Sequence, residues 1–94
     1  MEKKQEIVNH ILNKDRVYFS KIYSNHKGML KNIAFKLTGS EINSDNLIYS
    51  TFKELWDSPQ SFQDSSDKLV STYLMKRLIY NYLCSQHTIK RRIT

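Results

Sequence analysis

The residues best suited to chemistry lie close together near the end of the chain. Aromatic, amide and cationic side chains are interspersed there: Tyr73, Lys76, Arg77, Tyr80, Asn81, Lys90, Arg91 and Arg92. Cations bind phosphates, aromatic rings stack on bases and an amide can hydrogen-bond a base edge, so this mixture indicates binding of single-stranded or partly opened nucleic acid. The residue types alone are equally consistent with Tyr73 and Tyr82 in the core and the cations on a solvated face.

Few residues could support catalysis. His10, His26 and His87 lie on different predicted elements, and none has a His, Cys or carboxylate at metal-binding spacing. Cys84 lacks a recognisable base, so we expect a small, buried or half-buried side chain. The sequence contains neither a glycine-rich phosphate loop nor a serine in a nucleophile elbow. We therefore predict no enzymatic activity, no metal and no cofactor; catalysis would need a pocket joining His26 or His87 to a carboxylate.

The elements that position these residues are expected to be helices. The chain has 94 residues, which suits a single domain spanning 1–94. Two glycines and one proline leave few tight turns, and this favours long helices over many short strands. We predict an all-α fold, a compact bundle of about four helices comprising a short N-terminal helix and three longer ones.

The cellular compartment is suggested by what the sequence lacks. A single cysteine excludes an internal disulfide, and the first residues do not form the apolar run of a secretory signal. No apolar stretch approaches membrane-spanning length. We expect a cytoplasmic protein that does not enter a membrane.

Charge is unevenly distributed along the chain. Residues 1–40 carry eight Lys or Arg against three acids, residues 41–67 one against six, and residues 68–94 six against none. Solvation alone could account for such runs. Alternatively, an acidic middle and two basic ends could serve two partners of opposite charge.

The most regular pattern is found over residues 42–56. Apolar side chains recur there at helical spacing: Leu47, Ile48, Thr51, Phe52, Leu55 and Trp56. We predict a helix over 43–57 capped by Asn43, with Ile42 and Leu47 forming a hydrophobic staple and Ser58-Pro59 ending it.

Three further helices are predicted, over residues 3–13, 16–38 and 68–87. Gly28 lies inside the second of these, and Gly39 fits a left-handed stop after it. Ser66 or Asp67 could cap the last helix. The segment after Pro59 is polar and aperiodic, so it is interpreted as a loop of roughly ten residues with Phe62 exposed, and residues 88–94 as a basic tail or linker start.

The order of these segments resembles region 2 of bacterial RNA polymerase sigma factors, in particular the extracytoplasmic-function group. The likeness begins with YFSKIYSNHKGMLKNIAFKLTGS, continues in SDNLIYSTFKELW and includes the later YLMKRLIYNYL with the basic cluster that follows. It covers the chain from Val17 to Arg92. Its most specific part is the Phe-x-Glu-Leu-Trp sequence that ends at Trp56.

The resemblance implies two binding surfaces. The outer face of the central helix would bind the clamp coiled coil of the largest subunit of core RNA polymerase, through Asp45, Asn46, Tyr49, Ser50 and Lys53. The last helix would open the minus-ten promoter element and hold its non-template strand, through Tyr73, Lys76, Arg77, Tyr80 and Asn81, with the basic residues Lys90, Arg91 and Arg92. The loop over residues 61–64, including Phe62 and Gln63, would cover an extruded base.

The resemblance also implies an anti-sigma factor as a further partner. Region 4, the second promoter-binding domain of a complete factor, is absent from this sequence, so we expect a fragment or a degenerate relative. An alternative from a different class is a small helical protein–protein interaction domain without DNA binding. In that case the acidic central helix would bind a basic partner and the basic ends would only keep the chain in solution.

Overall fold

The structure, a computed structural model, describes residues 3–93 and the side chains of residues 3–85. Five α-helices and no strand are found in this part of the chain: α1 (Lys4–Leu12), α2 (Arg16–Thr38), α3 (Glu41–Asp57), α4 (Pro59–Asp64) and α5 (Val70–Ile93). The predicted all-α bundle is confirmed. The number of helices differs from the prediction, because a fifth, short helix, α4, lies between α3 and α5 where a loop was expected.

Helix α2 has the bounds that the sequence predicts. Its first turn is capped by Asp15, whose carboxylate accepts a hydrogen bond from the Tyr18 backbone N–H at 3.1 Å. At the other end Gly39 has φ 67°, a left-handed conformation that glycine adopts without a side-chain clash. Gly28 lies within the helix without interrupting it.

Helix α3 begins two residues earlier than expected, and the predicted cap is wrong. Ser40 is the cap, because its hydroxyl accepts from the backbone N–H of Asn43 at 3.3 Å. Asn43 therefore lies inside the first turn. Ile42 is 74% exposed, so it does not form the predicted staple with Leu47.

The segment predicted as a loop after Pro59 contains α4. Pro59 occupies the start of this helix, where its missing N–H costs nothing. Phe62 is fully buried, against the expectation of an exposed ring, and it packs on Tyr73 with 5.1 Å between ring centroids. A six-residue helix is too short to show apolar periodicity, which is why the sequence pattern did not predict it.

Helix α5 starts at Val70. Neither of the two predicted capping residues, Ser66 and Asp67, lies directly before it. The backbone stays helical to Ile93, beyond the predicted end at residue 87 and through most of the segment interpreted as a tail. The side chains of Lys90, Arg91 and Arg92 lie outside the described residues.

One core joins all five helices of the described part. Helix α2 packs most extensively on α3, and α5 packs on both. The fully buried apolar side chains come from every element: Val8, Ile11, Leu30, Ala34, Leu55, Phe62, Leu74 and Leu78. None of the helices in residues 3–93 has a stretch that is long and apolar enough to span a lipid bilayer.

Candidate nucleic-acid interface

Helix α5 has a buried face and an exposed face, and the predicted DNA-binding residues are divided between them. Tyr73 is buried with 7% of its surface exposed, alongside Leu74 and Leu78. Burial also raises the pKa of the Tyr73 hydroxyl. Tyr80, by contrast, is 53% exposed, and Lys76 one turn before it is exposed as well. Of these two tyrosines, only Tyr80 therefore presents an exposed ring on the surface of α5.

The Arg77 side chain contacts one residue of α3 and one residue of its own helix. Its Nε donates to Oε2 of Glu54 on α3 at 2.5 Å, and its guanidinium carbon lies 4.8 Å from the centroid of the Tyr80 ring. Residues three apart on a helix are neighbours, so Arg77 and Tyr80 form one continuous cation and aromatic surface. The hydrogen bond to Glu54 raises the pKa of Arg77 further, and the guanidinium remains charged.

Lys76 lies beside Arg77 and also has an acidic partner. Its Nζ is 2.7 Å from Oδ1 of Asp67, in the segment between α4 and α5. That segment is fixed in turn by Lys4, whose Nζ donates to the backbone oxygens of Ser65 and Asp67 at 2.7 and 2.8 Å. The segment before α5 is thus tied to α1 at the start of the chain.

Asn81 lies at the boundary between α5 and α3. It is half-buried, and its Nδ2 donates to the Thr51 hydroxyl at 3.4 Å. Because Thr51 is fully buried, the nitrogen of the Asn81 side-chain amide points toward α3. The carbonyl oxygen of the same side chain keeps its capacity to accept hydrogen bonds.

Cys84 follows Tyr80 by one turn. The prediction of a buried or half-buried thiol is wrong, because Cys84 is exposed on the same side of α5 as Tyr80. A hydrogen bond between the two side chains raises the pKa of the Tyr80 hydroxyl. The thiol therefore belongs to the exposed face and not to the core.

The remaining predicted DNA contacts lie elsewhere or are not described. Phe62 is sealed in the core under Lys4, whose Nζ lies 4.9 Å from the ring centroid, so it presents no face to a base. Gln63 is half-buried, and its Nε2 donates to Oε1 of Gln5 at 3.2 Å. Of the predicted set, the described structure brings four residues together on or beside the exposed face of α5: Lys76, Arg77, Tyr80 and Asn81.

The five predicted polymerase-binding residues share the outer face of α3. Asp45, Asn46, Tyr49, Ser50 and Lys53 are all exposed. Tyr49 is 66% exposed and has no place in the core. Lys53 pairs with Asp57 one turn later at 2.8 Å, which raises the pKa of its ammonium group.

A groove between α2 and α3 adjoins this outer face. It has a volume of about 640 Å³, and its floor is aromatic and aliphatic, with Tyr23, Ile48 and Phe52. Lys31 lies at its edge and is 3.3 Å from Glu41 and 3.7 Å from Asp45 on α3. The hydrogen bond to Glu41 is the main reason that the pKa of Lys31 is raised.

The described residues form a small all-α domain with exposed faces on α3 and α5. The chain matches sigma-70 region 2 over residues 22–89, more than half of its length, and it therefore belongs to the sigma-70 region 2 family. Comparisons with curated proteins and with solved structures find no significant match. The family is a non-enzymatic, regulatory one that acts in transcription initiation with core RNA polymerase and promoter DNA.

Sequence reasoning missed the acidic partners of the interface. The sequence pattern indicated no role for Glu54 and suggested Asp67 only as a helix cap. Glu54 and Arg77 are 23 residues apart in the chain, so no local spacing connects them. The one signal of such pairing in the sequence was its charge pattern: acids are in excess in residues 41–67, and the residues that follow, 68–94, are basic.

Proposed function

We propose that this chain is the region 2 domain of an extracytoplasmic-function sigma factor that works in the cytoplasm. In this proposal the exposed face of α5 holds the opened non-template strand of the minus-ten element. The outer face of α3 binds the clamp coiled coil of the largest subunit of core RNA polymerase. The observation that carries the proposal is the shared surface of Lys76, Arg77 and Tyr80, a pair of cations next to an exposed ring.

The energetics favour a domain that needs the polymerase in order to act. Unstacking a base costs a few kcal/mol, whereas stacking on one aromatic ring returns about 1 to 3 kcal/mol. Tyr80 alone therefore roughly balances the cost of one extruded base. The two cations add phosphate contacts, so the isolated domain binds DNA weakly, and its affinity falls as salt rises.

The DNA-binding half is tested by fluorescence anisotropy with labelled minus-ten oligonucleotides. Lys76→Ala and Arg77→Ala should each weaken binding and reduce the salt slope by about 0.7 for each lost contact to a single-stranded phosphate. Lys27→Ala is the matched control, because Lys27 has the same charge but lies over the Tyr23 ring at the α2–α3 groove. Equal effects of Lys27→Ala and Arg77→Ala would refute a specific role for α5.

The polymerase-binding half is tested by retention of the chain on immobilised bacterial core RNA polymerase. Tyr49→Ala removes the largest exposed side chain of the outer face of α3 and should reduce retention. Ile42→Ala is the control, since Ile42 is similarly exposed on the same helix but is not among the proposed contacts. Normal retention of Tyr49→Ala would count against this face as the polymerase contact.

Protein interaction without DNA binding is a second candidate, and the apolar floor of the α2–α3 groove is the observation that favours it. A chain that is retained by the polymerase but shows no affinity for opened or duplex DNA would support this alternative. An anti-sigma factor is a further proposed partner on either account.

A further inference from the structure

Both cations on the proposed DNA-binding face are already paired with acids of other elements. Lys76 lies 2.7 Å from Asp67, and Arg77 lies 2.5 Å from Glu54. The four side chains carry two positive and two negative charges. This part of the surface is therefore close to neutral, although residues 68–94, which include both cations, contain no acid.

The two acids differ in how firmly the fold holds them. Glu54 lies in the last turn of α3, and its side chain is 39% exposed. Asp67 has only 11% of its side chain exposed, and its backbone oxygen accepts from Lys4. Lys76 is 62% exposed by comparison, so the cation has more freedom to change partner than the acid has.

Exchanging these acids for phosphates is energetically feasible. Lys76 is 62% exposed, and Arg77 and Glu54 are 38% and 39% exposed, so water and salt reach both ion pairs, screen them and weaken them. A phosphate brought to Lys76 or Arg77 must nevertheless displace a carboxylate or share the cation with it. The carboxylate that remains nearby repels the phosphate.

We propose that Glu54 and Asp67 set the DNA affinity of α5 by occupying its two cations in the free domain. Binding of the opened strand exchanges each carboxylate for a phosphate oxygen. The inference rests on the proposed DNA-binding role of α5 and adds two residues that do not themselves contact DNA. Their presence lowers the affinity and flattens its dependence on salt.

The test is the affinity of Glu54→Gln for a single-stranded minus-ten oligonucleotide, measured by anisotropy over a series of salt concentrations. Glutamine has the shape of glutamate and still accepts a hydrogen bond from Arg77, so the fold is retained. We expect affinity to rise by up to about fivefold at low salt, the range of an exposed ion pair. The salt slope should steepen by up to about 0.7, one additional single-stranded phosphate contact.

The control is Glu41→Gln, which makes the same change in net charge on the same helix. Glu41 pairs with Lys31 on α2, away from the pair that Glu54 forms with α5. An equal gain from Glu41→Gln would show a general charge effect and overturn the proposal. Weaker binding by Glu54→Gln would also overturn it, because Glu54 would then be positioning Arg77 for DNA.

A second variant and a double mutant separate this inference from the proposed function. Asp67→Asn should give a similar gain, with circular dichroism confirming the helical fold. In an Arg77→Ala background, Glu54→Gln should give a smaller gain than in the unmodified chain, because the cation it releases is missing. If Arg77→Ala leaves DNA binding unchanged, the proposed function fails. If Arg77→Ala weakens binding but Glu54→Gln changes neither affinity nor slope, only the present inference fails.

Discussion

The side-chain amide of Asn81 on α5 donates to the hydroxyl of Thr51 on α3, with 3.4 Å between the two atoms. Thr51 is fully buried and also donates to the backbone oxygen of Leu47 at 2.8 Å. The proposed DNA-binding helix is thus joined to the proposed polymerase-binding helix through a buried hydroxyl. A side chain in this position can orient α5 and, through its carbonyl oxygen, also reach DNA.

Replacement of Asn81 distinguishes these two roles. Asn81→Ala removes the amide, and we expect weaker binding of an opened minus-ten oligonucleotide, measured by anisotropy. Thr51→Val is the companion variant, because it removes the hydrogen-bond acceptor but leaves the Asn81 amide in place. If the two variants weaken DNA binding equally, Asn81 acts only by holding α5 against α3.

Phe62 is expected to stabilise the fold and not to contact DNA. It is fully buried between Lys4 and Tyr73, so Phe62→Ala should lower the free energy of unfolding by about 3 to 5 kcal/mol. Urea denaturation followed by circular dichroism measures this loss. Gln60→Ala is the control, since Gln60 is exposed on the same helix. A loss below about 1 kcal/mol for Phe62→Ala would contradict the buried position.

The two glycines should respond in opposite directions to alanine. Gly28 is helical, and an added methyl group would meet nothing within 4 Å, so Gly28→Ala should stabilise the chain by about 1 kcal/mol. Gly39 has φ 67°, where alanine is strained, and Gly39→Ala should destabilise it by about 1 kcal/mol. Thermal melts of both variants test the assignment. A rise in melting temperature for Gly39→Ala would contradict the left-handed stop.

Asp15 gives the chain a predictable response to acid. The N–H of Tyr18, followed by the hydrogen bond to His10, lowers the pKa of Asp15 below its ordinary 3.8. Its stabilising contribution is therefore complete above the unfolded pKa and is lost as pH falls through the folded value. Asp15→Asn keeps a capping oxygen but removes the charge, so the difference in melting temperature from the unmodified chain should shrink below about pH 4. A difference that is constant from pH 7 to pH 3 would contradict this account.

Local signals predicted both ends of α2, but they misplaced the start of α3 and both ends of α5. The bounds of α2 follow from a cap at Asp15 and a stop at Gly39, and both act through neighbouring backbone groups. The buried side of α3 follows from its periodicity, and its five predicted polymerase contacts are all exposed. The start of α3 was misjudged because Ser40 and Asn43 are both good capping residues, and sequence alone does not decide between them.

Features that depend on tertiary packing were not predictable in the same way. Phe62 was expected to be exposed because its polar neighbours suggest a loop, whereas contact with Lys4 and Tyr73 buries it. Tyr73 and Tyr80 are seven residues apart and have the same chemistry, but only the packing of α5 on the core distinguishes the buried ring from the exposed one. The pairing of Glu54 with Arg77 joins two helices and leaves no trace in local spacing.

The most direct test of the central claim is the affinity of the chain, bound to bacterial core RNA polymerase, for minus-ten DNA with a displaced non-template strand and for the matching duplex. We expect the opened DNA to bind about tenfold more tightly or better, the effect of about one stacked base. Arg77→Ala and Tyr80→Ala should reduce this preference. Equal affinity for the two DNA forms, or an unchanged preference in both variants, would contradict the assignment of the exposed face of α5 to the opened strand.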